Sequence, residues 1–169
     1  CGSTPRSTSE TDAGRGTREC VFPVPFDGDR RRLSAPDERR AAGYAPALDT
    51  KLGYVPMTDT DWCVDVNESP LYNRIVSTRE VGIDAVEGSS EPMRRDQHLD
   101  GDQLYRQGFV IRHNPSNVPK AGSCIFAHLW RAPGKPTAGC TAMDSADMDV
   151  LLQWLDADKH PVFVLLPAA

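Results

Sequence analysis

The sequence predicts a mainly β domain, and three observations predict it. Fourteen prolines and thirteen glycines in 169 residues favour turns and strands over a helical bundle. Short alternating or β-branched runs recur between Tyr54 and Trp130, broken by Asp, Asn, Pro and Gly. Only two short stretches, Asp37–Gly43 and the one after Asp144, carry helix signals.

Composition sets the outer limits. A hydrophobic share of 39% and a charged share of 25% predict a soluble globular chain of one domain with a tail. No run approaches the roughly 18 apolar residues that span a bilayer. A net charge of −5 argues against nucleic acid as a partner, because phosphate contacts need a basic face.

The elements follow in order. Residues 2–19 are mostly Ser, Thr, Gly and alternating charges, too poor in apolar surface to offset ordering entropy. They predict a flexible tether over 1–20, ahead of one domain over 21–169. The Arg30-Arg31-Arg32 run, flanked by acids, reads as a solvated face. Pro36 ahead of Asp37, and Gly43 behind an Arg-Ala stretch, predict a helix over Asp37–Gly43. Strands are predicted at Tyr54–Met57, Trp62–Val66 and Arg74–Thr78. The polar segment 83–103 reads as a long loop, of a kind often functional. Phe109–His113 alternates and predicts a strand, with a Pro/Asn/Gly connection after it.

Ser123–Trp130 is the most informative strand. Alternation places Ile125, Ala127 and Leu129 on one face and Cys124, Phe126, His128 and Trp130 on the other. The first face suits a core and the second a cleft wall. Pro133-Gly134 predicts a turn. Asp144 predicts a capped helix whose Met148, Leu151, Leu152 and Leu155 fall at i, i+3, i+4, i+7. Val162–Leu166 reads as a closing strand.

His128 and Cys140 lie twelve positions apart with a turn between them. A strand ending at a His and a return loop delivering a Cys can bring imidazole and thiol within reach. The imidazole would then draw off the thiol proton and leave the reactive thiolate. Gly139 lets the backbone turn sharply, and its N–H with that of Cys140 can face a developing oxyanion. On spacing alone, a buried structural Cys beside a turn Gly and a structural His stay ahead of the catalytic reading.

Residues 123–143, SCIFAHLWRAPGKPTAGCTAM, resemble the catalytic segment of the L,D-transpeptidase (YkuD-type) domain family. The matching features are a strand ending at His128, a return loop, and Thr137-Ala138-Gly139-Cys140. Trp62-Cys63-Val64-Asp65, Tyr72-Asn73-Arg74 and Phe109–Asn114 also resemble a compact branch of that family, so the likeness covers roughly residues 55–166. It implies a mixed β-sandwich with one or two short helices. It also implies thiol acyl transfer on peptidoglycan tetrapeptide stems, without metal or cofactor. Cys140 would be the nucleophile, His128 the base, and Gly139 part of the oxyanion site. Thr137, Asn114, Trp130 and Phe126 would be the candidate substrate contacts.

Two positions depart from the commoner motif. Ala138 and Ala142 stand where it has a His and an Arg or Asn. Three outcomes therefore remain open: transpeptidation, hydrolysis of the acyl-enzyme as in an L,D-carboxypeptidase, and a non-catalytic cell-wall-binding domain. Cys124 reads as structural, since it has no base of its own. His113 reads as an ordinary strand-end residue, and His98 and His160 carry no signal.

Cys1-Gly2-Ser3 and the polar stretch after it resemble the start of a mature bacterial lipoprotein, with Cys1 carrying the lipid. That implies a periplasmic domain tethered to the cell envelope. No pair of the five cysteines has CxxC spacing, which leaves a zinc or redox motif unsupported. An exported chain permits a disulfide among Cys20, Cys63 and Cys124, and spacing does not select the pair.

Overall fold

The computed structural model describes residues 40–164. The expected tether, Cys1, Cys20 and the Arg30-Arg31-Arg32 run lie outside the described residues. The fold is mainly β, with two sheets. The larger contains β1 (Arg40–Gly43), β2 (Gly53–Pro56), β6 (Gln107–Val110), β7 (Phe126–Leu129) and β8 (Thr141–Met143), in the order β2-β1-β6-β7-β8. It is mixed, with β1–β2 and β7–β8 parallel and the two central pairings antiparallel. The smaller is antiparallel, in the order β4-β3-β5, from β3 (Asp61–Cys63), β4 (Ile75–Ser77) and β5 (Glu91–Pro92).

The helix expected to end at Gly43 is corrected: Arg40–Gly43 is a strand between β2 and β6. Burial overrides local helix propensity here. Ala41 is fully buried, and a Cβ on Gly43 would press against the Arg106 carbonyl oxygen. Small side chains let this central strand sit close to its neighbours.

Segment 83–103 is also corrected. It is no single loop but holds a 3-10 helix (Ile83–Val86), β5 and a one-turn helix (Arg95–His98). Its elements are two to four residues long, too short to show periodicity. With α1 (Thr78–Val81), α2 (Arg95–His98) and α3 (Ser145–Trp154) there are three α-helices among the described residues rather than one or two. Among these, only α3 exceeds one turn. As predicted, Asp144 caps it, its carboxylate accepting the Asp147 N–H at 2.8 Å. Residues 162–164 form no strand, correcting the expected closing strand. Val162 and Val164 are exposed, so no partner strand covers them. The rest of Val162–Leu166 lies outside the described residues.

Strand alternation divides the core in two. Ala41, Phe109 and Ala127 pack with Met148, Leu152 and Leu155 of the α3 segment. Ala42 and Phe126, from the opposite sheet face, pack with Met57, Cys63, Met93, Tyr105 and Cys124 towards the small sheet. A disulfide joins Cys63 of β3 to Cys124, two residues before β7. It stitches the small sheet to the chain entering the strand of His128.

Candidate active site

His128 occupies a row made almost entirely of small residues. Across the large sheet it is flanked by Gly108 of β6 and Ala142 of β8, with Ala42 of β1 beyond Gly108. The glycine is required, because a Cβ there would run into the Ala127 carbonyl oxygen. His128 is 5% exposed, and its Nδ1 lies 2.7 Å from the Leu129 carbonyl oxygen. A carbonyl only accepts, so Nδ1 carries the hydrogen and Nε2 of the neutral ring holds the lone pair. Burial pushes the imidazole below its ordinary pKa. The Leu129 bond and the Asp102 charge oppose that shift, and the Arg95 charge adds to it. The ring is thus a neutral base near pH 7.

Cys140 immediately precedes β8. Since Ala127 pairs with Thr141, Cys140 is level with Phe126, one row-step from His128 on the same sheet face. Its Sγ accepts the Phe126 N–H at 3.3 Å and lies 3.5 Å from the Cys124 carbonyl, to which the thiol can donate. An N–H directed at the sulfur is a favourable partner for a thiolate. Cys140 is partly exposed and, among the described residues, is the cysteine outside the disulfide. Backbone alternation therefore brings base and thiol to one face.

The loop before Cys140 closes on itself. The Thr137 hydroxyl donates to the Cys140 carbonyl, while Ala138 is exposed and Gly139 half-buried. Thr137 thus shapes the loop that carries Cys140. Phe126 is buried between the sheets, edge-on to Tyr105 at 5.4 Å, a wall under the thiol rather than an open surface. Trp130 is half-buried, its N–H bonded to the Met143 carbonyl. Asn114 directs its amide onto the Val118 and Gly122 carbonyls and accepts the Val118 N–H, so it builds its own loop. His113 contacts the Ala121 carbonyl in that same loop, and His98 the Asp59 carbonyl.

Sequence reasoning missed a charged layer beside His128. The Tyr105 ring lies 5.2 Å from the imidazole, and its hydroxyl donates to Glu91 at 2.6 Å. Arg95 stacks over that ring at 5.0 Å, pairs with Asp102 at 3.0 Å and approaches Glu91 at 3.6 Å. Asp102 also takes Arg131 at 2.9 Å. Burial raises the Glu91 pKa against the Tyr105 bond and the Arg95 charge. At Asp102, burial is outweighed by the Arg95 bond, the Leu104 N–H and the charges of Arg95 and Arg131, which hold its carboxyl below the usual range. The one sequence signal was the i, i+4 spacing of Glu91 and Arg95, which reads equally well as a solvated pair.

A cavity of about 10 Å³ between Tyr105, Phe126 and His128 has room for about one water. Among the described residues no cluster of three or more His, Cys, Asp or Glu could hold a metal. No helix among them is long and apolar enough to cross a membrane.

No protein-family model, curated protein or solved structure matches this chain. The functional reading therefore stands on the site itself and on the sequence resemblance.

Proposed function

We propose that this chain is a cysteine acyltransferase of the L,D-transpeptidase type, acting on peptidoglycan tetrapeptide stems. The observation that carries the reading is the His128–Cys140 arrangement: a neutral imidazole, its Nδ1 tied to the Leu129 carbonyl, on the strand beside a partly exposed thiol. In this reading Cys140 Sγ attacks the carbonyl of the stem's third residue. The sulfur–carbon bond forms and the bond to the terminal D-alanine nitrogen breaks. His128 carries the thiol proton to that leaving amine. An incoming amine or water then cleaves the thioester and restores the thiol. The N–H groups of Gly139 and Cys140 face the oxyanion, each donor worth about 3–4 kcal/mol.

Hydrolysis is the second reading, favoured by the two alanines. Ala142 lies directly beside His128 and Ala138 is exposed, so neither supplies a polar group to position an amine. Losing such positioning costs aminolysis more than attack by water.

The reading places the domain in the cell envelope. The Cys63–Cys124 disulfide supports export, since such bonds persist in oxidising compartments. Incubation with disaccharide-tetrapeptide, followed by mass spectrometry, tests the function. Dimer supports transpeptidation, tripeptide supports hydrolysis, and unchanged substrate overturns both.

A further inference from the structure

The charged layer beside His128 is built as a unit. Glu91, Arg95, Asp102 and Tyr105 come from β5, α2 and the segment leading into β6, so no single element assembles it. The Arg95 and Asp102 side chains are only 13% and 10% exposed, whereas Arg131, the outer partner of Asp102, is 66% exposed. Ionised groups this well covered are held only where partners compensate their lost hydration. Here the compensation is mutual, and its centre is the Tyr105 ring that faces the imidazole.

We propose that the Arg95–Asp102 ion pair, braced by Glu91 through the Tyr105 hydroxyl, is the positioning device for the His128 imidazole. The proposal rests on His128 being the base for Cys140. Two consequences follow from the geometry. The Tyr105 ring packs against the imidazole and limits its tilt, and the ring is itself held by the Glu91 bond at its hydroxyl and the Arg95 guanidinium over its face. The two members of the ion pair also act on the imidazole with opposite sign, Arg95 against its protonation and Asp102 in favour of it. Cys140 is the titratable group on the β8 side. On β7 itself the ring meets the uncharged Leu129 carbonyl. Asp149 of α3 bonds Gln107 and belongs to the helix-side layer.

The test is an NMR titration of the His128 ring in the whole chain, a readout that needs no turnover. Arg95→Met should move the midpoint up, and Asp102→Asn should move it down. Arg95→Lys, which keeps the cation, should restore most of the original midpoint. Where Arg95→Met does not fold, Arg95→Gln replaces it, with folding checked by thermal melting. Midpoints that do not move, that move the same way in both variants, or that match between Arg95→Lys and Arg95→Met overturn the proposal. Opposite shifts in a protein that leaves tetrapeptide unchanged would retain the pair's effect on His128 and sink the proposed reaction alone.

Discussion

His128 on β7 lies opposite Gly108 on β6, and the missing side chain of Gly108 is what allows the two strands their close approach. The position of the His128 imidazole is thus set by backbone packing on the strand opposite the one that leads to Cys140.

Gly108→Ala follows directly. The new methyl would push against the Ala127 carbonyl, so strand β6 must shift or the β6–β7 pairing must loosen. Overpacking of this kind costs about 1–3 kcal/mol. Denaturant unfolding should show that loss, together with slower alkylation of Cys140. An unchanged midpoint would mean that the strands yield freely.

The disulfide gives a second prediction. Cys63 and Cys124 are 61 residues apart, and cross-links over such separations contribute about 2–4 kcal/mol. Cys63→Ala with Cys124→Ala should lower stability by that amount. Without reductant, alkylation followed by peptide mapping should modify Cys140 and spare Cys63 and Cys124. Labelling of Cys124 in the untreated protein would contradict the bond.

Asn73 predicts where the loop before β7 is held. Its Nδ2 donates to the His113 and Asn114 carbonyls and to Asn117 Oδ1 at 3.0–3.2 Å, and its Oδ1 accepts the Cys124 N–H at 2.9 Å. Its φ of 61° suits asparagine better than most residues. Asn73→Ala should cost about 2–3 kcal/mol. Hydrogen exchange should rise across 113–124 and leave α3 protected. A uniform rise would show a global rather than a local role.

The pH dependence has a defined sign. Burial lowers the His128 pKa from its ordinary 6.5, so below that value the unfolded chain binds the extra proton first. The stability that His128 contributes is present above pH 6.5 and is lost as pH falls through the folded-state value. His128→Gln should flatten that part of the stability curve. The acid limb of any turnover should likewise fall below 6.5. A limb above that value would mean that another group sets it.

Much of the site was legible because it lies on strands. Alternation put Phe126 and His128 on one face, and a turn at Pro133-Gly134 returned the chain to Cys140. The helix of Met148 and Leu152 was legible from period and cap alike. The Arg40–Gly43 strand was not, because Arg-Ala-Ala favours a helix until neighbours bury it. Arg95 and Asp102 were not either. Their place beside His128 arises where β5, α2 and the segment leading into β6 meet β7, and nothing local in 83–103 records which strand lies opposite.

Intact-protein mass spectrometry during incubation with a tetrapeptide stem tests the central claim most directly. The account predicts a transient acyl adduct on Cys140, with release of D-alanine, in the unaltered protein. It also predicts a Cys140→Ser chain that forms no thioester and releases no D-alanine, and a His128→Gln chain that acylates far more slowly. D-Alanine release by a folded Cys140→Ser chain, or an adduct mapped to a different residue, would contradict it.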